Sequence, residues 1–242
     1  MRRGYSREAY LDLVRRAREI IPDVTISTDI ITGFSGETEE EHQDTLSLLA
    51  EVKYDQAFMF AYSDRETTHA ARNYKDDVPE EIKLRRLQEV IGVFRDNLRA
   101  KNRSKEWGSF RIVLIEGHST RSTKAAPMLT GRTDGNKRVI FPKPHKLLNP
   151  ASRHLATAQV LLERHFRQSV SGSGEFAQGT HMAGCAAILD GFMGHLSAAV
   201  DDFQSINADD TLTGRYALAF IAEANGPTLR GNLVAFSRIT SN

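Results

Sequence analysis

The chain has 242 residues, of which 40% are hydrophobic and 26% charged, the balance of a globular protein with one large domain or two modest ones. Lys and Arg number 32 against 31 Asp and Glu, a formal charge of +1, so any nucleic-acid surface has to be a local patch. The single cysteine, Cys185, excludes an internal disulfide framework and any metal or iron–sulfur site built from several cysteines of this chain. No apolar run approaches the roughly 20 residues needed to cross a bilayer. The N-terminus lacks the apolar core of a signal peptide and reads as the entry to a helix.

Ser6 followed by Glu8, Leu11, Leu13, Val14 and Ile20 predicts a capped helix ending near Pro22. Val24–Ile31 is rich in β-branched residues and reads as a buried strand. A tight segment from Thr32 to Thr38 leads into a second helix, capped by Thr38, with Glu39, Glu40 and Glu41 in its first turn. Ala57–Tyr62 is a second short strand, and Asp77, Val78 and Pro79 open a long helix through Lys105. Helix alternating with strand is the pattern of an α/β layer with parallel strands.

The character changes after Glu106. Phe110–Glu116 alternates as a strand, and Leu129–Thr133 and Lys137–Phe141 flank Asp134-Gly135-Asn136, a strong hairpin signal. Arg215–Ile221 and Asn232–Arg238 are further strand candidates around Asn225-Gly226-Pro227. A small all-β domain is expected over 107–242, after an α/β domain over 1–106. Residues 151–210 interrupt it: they are rich in Ala, Gly and Ser, hold no Lys, and contain four of the eight histidines. His154–Gln168 and Ala186–Phe203 read as helices there, joined by a flexible Ser171–Gly174.

Gly33-Phe34-Ser35-Gly36-Glu37-Thr38 is the most informative local motif. Glycines at the end of a strand let backbone amides approach a ligand, and a helix N-terminus aimed at the same place suits a carboxylate or phosphate. Spacing alone leaves a ligand-free strand–helix turn as the alternative. Asp29 sits among β-branched neighbours and has to be paired or to face a site. Between Glu80 and Lys105, eight basic residues outnumber four acids. Beside a β domain bearing Arg111, Arg121, Lys124, Arg132, Lys137 and Arg138, that excess suggests an RNA backbone as partner. No metal site is expected. His154 and His165 would stand roughly 16 Å apart on a helix, and His181 with Cys185 supplies only two ligands. No nucleophile signature is present.

Several segments together resemble the radical-SAM tRNA methylthiotransferases (MiaB-type). They are Met1–Glu8, Ser27–Thr38, Phe58–Ser63, Asp76–Glu81 with Lys83–Leu87, Gly131–Asn136 with Val139–Pro142, and Thr228–Asn232. The wording around Asp134-Gly135-Asn136 is similar to the eukaryotic, mitochondrial branch, first described as binding a cyclin-dependent kinase activator. Ser35 stands where the family motif has proline. The resemblance implies the C-terminal part of a radical-SAM partial (β/α) barrel, followed by a TRAM-type β-barrel carrying the Ala/Gly-rich insertion.

It further implies 2-methylthiolation of N6-isopentenyladenosine in tRNA, using S-adenosylmethionine and [4Fe-4S] clusters. Tyr5 with Arg2 and Arg3 would lie near the barrel mouth. Thr28, Asp29, Gly33, Gly36 and Glu37 fall on the strand and turn lining the family's S-adenosylmethionine pocket, and Arg111, Arg132, Lys137 and Arg138 are its candidate RNA contacts. No residue of this chain is assigned as catalytic. Because the cluster-binding C-x-x-x-C-x-x-C is absent, the chain is expected to be a partial, inactive synthase, with a non-catalytic RNA-binding or protein-interaction module as the alternative. Partners implied are tRNA and a protein of the kinase-activator type, with no membrane. The implied location is the mitochondrion, with the cytoplasm as the alternative.

Overall fold

The computed structural model describes residues 4–144, 146–148, 203–206 and 211–236. Two units emerge, 1–101 and 102–242. The first contains α1 (Arg7–Ile20), β1 (Ser27–Thr32), α2 (Glu39–Val52), β2 (Gln56–Ala61), α3 (His69–Asn73) and most of α4 (Glu80–Lys105). The Ser6 hydroxyl accepts from the Ala9 amide and starts α1, as its spacing predicts. Thr38 and Glu41 form a reciprocal capping box at α2. The five-residue α3, capped by Thr68, has too few residues to show helical periodicity in the sequence.

β1 and β2 pair in parallel, from Ser27 opposite Gln56 to Thr32 opposite Ala61. The strand begins three residues later than its β-branched composition suggests. The Ile26 amide donates to the Asp55 carboxylate at 3.0 Å, so a side chain takes the place of a ladder partner. Nor is the strand buried on both faces. Ile30, Ala57 and Met59 point toward a core of Val14, Leu49, Val52, Val90, Phe94 and Leu98 from the three long helices. The opposite face carries Asp29, Ile31, Phe58 and Phe60, all exposed, as strand alternation requires.

In the second unit, β3 (Phe110–His118), β4 (Met128–Thr133), β5 (Arg138–Pro142), β8 (Tyr216–Glu223) and β9 (Thr228–Phe236) form a closed five-stranded barrel. Four neighbouring pairs are antiparallel, and a parallel pairing of β5 with β9 closes the ring. The hairpin at Asp134-Gly135-Asn136 forms as expected, with Asn136 at φ 57°. Val139, Phe141, Ile115, Ile221 and Leu229 fill the interior, and all are 0% exposed. At Gly131 a Cβ would strike the Leu114 carbonyl oxygen, so the β3–β4 contact admits only glycine there.

Two short strands are not evident in the sequence: β6 (Lys146–Leu148) and β7 (Phe203–Ser205), which pair with each other, β6 also meeting β9. Phe203–Ser205 lies within the stretch read as an insertion, and the following Ile206 is part of the barrel core. Phe203 is therefore a strand residue rather than a helix end. The remaining expected helix positions, the Ser171–Gly174 joint, His181 and Cys185 lie outside the described residues. No helix among the described residues is long and apolar enough to cross a membrane.

Candidate functional site

The turn after β1 is held by the protein's own carboxylates. The Gly33 amide donates to Glu37 Oε2 at 2.6 Å and the Gly36 amide to Asp77 Oδ1 at 2.7 Å. Arg86, 4% exposed, donates from Nη1 to the Glu37 carbonyl and to its carboxylate, both at 2.9 Å. The hydrogens of these two glycine amides are thus engaged internally, as the ligand-free reading of the turn has it. Gly33 is required for another reason. Its φ is 74°, and a Cβ there would run into the Lys83 side chain.

The basic excess of α4 is likewise mostly internal. Lys83 reaches Asp76 at 2.6 Å, Arg85 bridges Glu39 at 2.7 Å and Glu89 at 2.9 Å, and Lys101 pairs with Asp55 at 2.8 Å. The Arg85 guanidinium holds the Glu39 carboxyl down at about 2. Glu39, His42 and Glu89 cluster closely enough to suggest a cation, but the two arginines on these carboxylates already supply the positive charge. Sequence reading assigns these cations to an RNA backbone because it counts charges without seeing their long-range acidic partners.

What remains open lies at the carboxyl ends of β1 and β2. A cavity of about 960 Å³ is walled by Ile31, Phe34, Phe60, Tyr62, His69 and Tyr74, with Arg65 and Thr68 at its margin. Phe34 meets Tyr62 edge-on with centroids 5.0 Å apart, and Tyr74 at 6.1 Å. Lys83 Nζ lies 5.6 Å from the Tyr62 ring centroid. Desolvation raises the Tyr62 hydroxyl above its ordinary range, and that hydroxyl donates to Asp64 Oδ1 at 3.2 Å.

Asp29 shares the open face with Ile31, and its carboxylate has no partner among the described residues. Thr28, one residue earlier, points to the opposite face, its hydroxyl donating to the Asp29 carbonyl at 3.4 Å. Of the five expected pocket residues, Asp29 therefore faces the open side, while Gly33, Gly36 and Glu37 shape the turn beside it. Sequence reading passed over Phe60, Tyr62, His69 and Tyr74. The signal was present in the apolar run Ala57–Tyr62, whose alternate aromatics can face only one side.

In the barrel, the expected RNA contacts separate. Lys137 is 7% exposed; its ammonium bonds the Asn102 side chain and lies 3.3 Å from Glu106 Oε1. Arg111 donates to Glu106 Oε2 at 2.7 Å and to the Lys105 carbonyl. Arg132 pairs with Glu116 at 3.1 Å and bonds Asn136. Arg138 uses only Nε, on Thr130 Oγ1 at 3.1 Å. Lys137 is a structural cation because burying it requires the Glu106 charge beside it.

No protein-family profile matches the chain. It is similar to the mitochondrial tRNA methylthiotransferase CDK5RAP1 of Mus musculus, 56% identical over 142 residues, 59% of this chain and 24% of that protein. A CDK5RAP1-like protein of Oryza sativa is 53% identical over 148 residues, 60% of this chain and 24% of its own length. The tRNA-2-methylthio-N(6)-dimethylallyladenosine synthase of Phocaeicola vulgatus is 48% identical over 143 residues, 59% of this chain and 30% of that protein. The chain thus spans 24–30% of the length of these curated relatives.

Proposed function

We propose that the chain is a C-terminal part of a MiaB-type tRNA methylthiotransferase and that it serves 2-methylthiolation of N6-isopentenyladenosine in tRNA. The observation that carries this reading is the identity of 48% and 56% to proteins named for that chemistry. Under this reading, residues 1–106 are the end of a radical-SAM barrel and 107–242 a TRAM domain interrupted over 151–210.

The open side of β1 and β2 suits S-adenosylmethionine. The unpartnered Asp29 carboxylate can accept from an ammonium or ribose hydroxyls, and the aromatic wall offers surfaces for a purine. Gly33, Gly36 and Glu37 fix the turn bordering that space, and Thr28 holds the strand from behind. S-adenosylmethionine bound there would be the source of the family's adenosyl radical, once an electron from an iron–sulfur cluster carried by the rest of such an enzyme cleaved its sulfonium. The residues named here bind, orient and exclude water. A [4Fe-4S] cluster does not fit: such clusters take three or four thiolates, and these 242 residues hold one cysteine. Of the four expected RNA contacts, Arg132 and Arg138 are the two not committed to Glu106. We further propose a mitochondrial location, following the names of the relatives.

The test is a chimera in which this chain replaces the corresponding segment of the mouse relative. Methylthiolated adenosine in tRNA, measured by mass spectrometry, is expected to form. Its absence from a folded chimera that binds tRNA would leave the non-catalytic module as the better reading.

A further inference from the structure

Where β5 and β9 close the barrel, their outward residues flank a polar cleft of about 490 Å³. Arg138 stands opposite Thr228 and Ile140 opposite Arg230 across this parallel pair. Thr120 and Arg121, from the turn after β3, form one rim, and the 225–227 turn forms the other. Three guanidiniums thus line a space whose one carboxylate is Glu223, 3.7 Å from Arg230 Nε.

The arginines differ in what they have left to offer. The terminal nitrogens of Arg138 have no partner among the described residues, while its Nε bond to Thr130 orients the planar head. The Arg121 side chain has no partner among them either, while its backbone amide is tied to Ser119 Oγ at 3.3 Å. An oriented guanidinium fork with free N–H groups is built for bidentate contact with phosphate oxygens. No aromatic ring lines the cleft, so base stacking is not on offer. Arg111, Arg132 and Lys137, by contrast, are all bonded to acids of the same unit.

We infer that this cleft is a phosphodiester-binding site for an RNA backbone, with Arg121 and Arg138 as its principal contacts and Arg230 in support. The inference rests on the tRNA reading above and adds to it two contacts, Arg121 and Arg230, and a place: the barrel's closing seam. Contact through phosphates alone makes the site indifferent to base sequence.

The experiment titrates the full chain against a fluorescently labelled tRNA anticodon stem-loop across a salt series. Replacing both Arg121→Ala and Arg138→Ala is expected to weaken binding roughly tenfold or more at low salt, and to make the slope of log K against log salt shallower by about 1.4–1.8. Arg121→Gln with Arg138→Gln keeps a donor for Thr130 and should lose as much, which separates lost contact from lost folding. Arg15→Ala with Arg16→Ala removes two arginines already paired on α1 and should bind like the parent. Parental affinity and slope in the Gln pair would overturn the cleft while leaving the tRNA reading intact. A parent chain that binds no RNA would overturn both. RNA binding lost in the Gln pair, together with a chimera that makes no methylthioadenosine, would uphold the cleft and remove the catalytic reading.

Discussion

The two units handle their sheets in opposite ways. The first pairs only two parallel strands among the described residues, covers one face with helices, and leaves Ile31, Phe58 and Phe60 exposed on the other. Parallel strands are normally covered on both faces. The second curls five strands until β9 meets β5, so its apolar residues face only each other. An open apolar face with an unpartnered carboxylate is poor for stability and useful for binding. A closed barrel has its core to itself and can offer only its outside. The proposed roles follow this difference, with ligand chemistry on the face of one unit and charge recognition on the exterior of the other.

The largest effect that would sharpen this contrast is expected inside the barrel. Phe141→Ala should cost about 3–5 kcal/mol, read as a lowered midpoint in urea, whereas Phe58→Ala on the open face should change stability by less than about 0.5 kcal/mol. Equal losses at the two positions would mean that the open face is covered. Lys137→Ala comes next, because it leaves the buried Glu106 with a weakened set of partners; about 3 kcal/mol is expected, with thermal unfolding as the measure. A Lys137 variant as stable as the parent would restore it as a surface RNA contact.

Ile206→Ala should cost about 2–4 kcal/mol, measured by the same melts. A negligible loss would show that residues after β7 are not part of the barrel. The smallest effect is in the acid limb of the open unit. Glu39 is held at about 2 by Arg85, below its unfolded value, so its contribution is present above the ordinary glutamate range and is lost as pH falls through about 2. Glu39→Gln should flatten that part of the stability–pH curve, with a small loss at neutral pH that vanishes as pH falls to about 2.

Elements were legible wherever local chemistry decides them. The Ser6 and Thr38 caps, the Asp134–Asn136 turn and the run Phe110–Glu116 each carry their signal within a few residues. Features set by distant partners were not. Val24–Ile26 reads as strand but stops short because Asp55 captures the Ile26 amide. Lys83, Arg86 and Lys137 read as surface charge, since their acids lie elsewhere in the chain or on another turn. Asp29 reads as a carboxylate that has to be paired or to face a site, and the structure places it on the open face without a partner among the described residues. The aromatic wall at the carboxyl ends of β1 and β2 is not legible, because Tyr74 and His69 reach it from a loop and a five-residue helix with no periodic signal.

The central claim is that the open face of β1 and β2 serves the modification chemistry while the barrel serves RNA attachment. The most direct test is the turnover of the mouse-relative chimera carrying Asp29→Ala, with kcat and the KM for tRNA determined separately. The account predicts a fall in kcat of about tenfold or more, the scale of a lost orienting contact, at an unchanged KM for tRNA. An Asp29→Ala chimera with parental kcat, or one altered only in KM for tRNA, would contradict it.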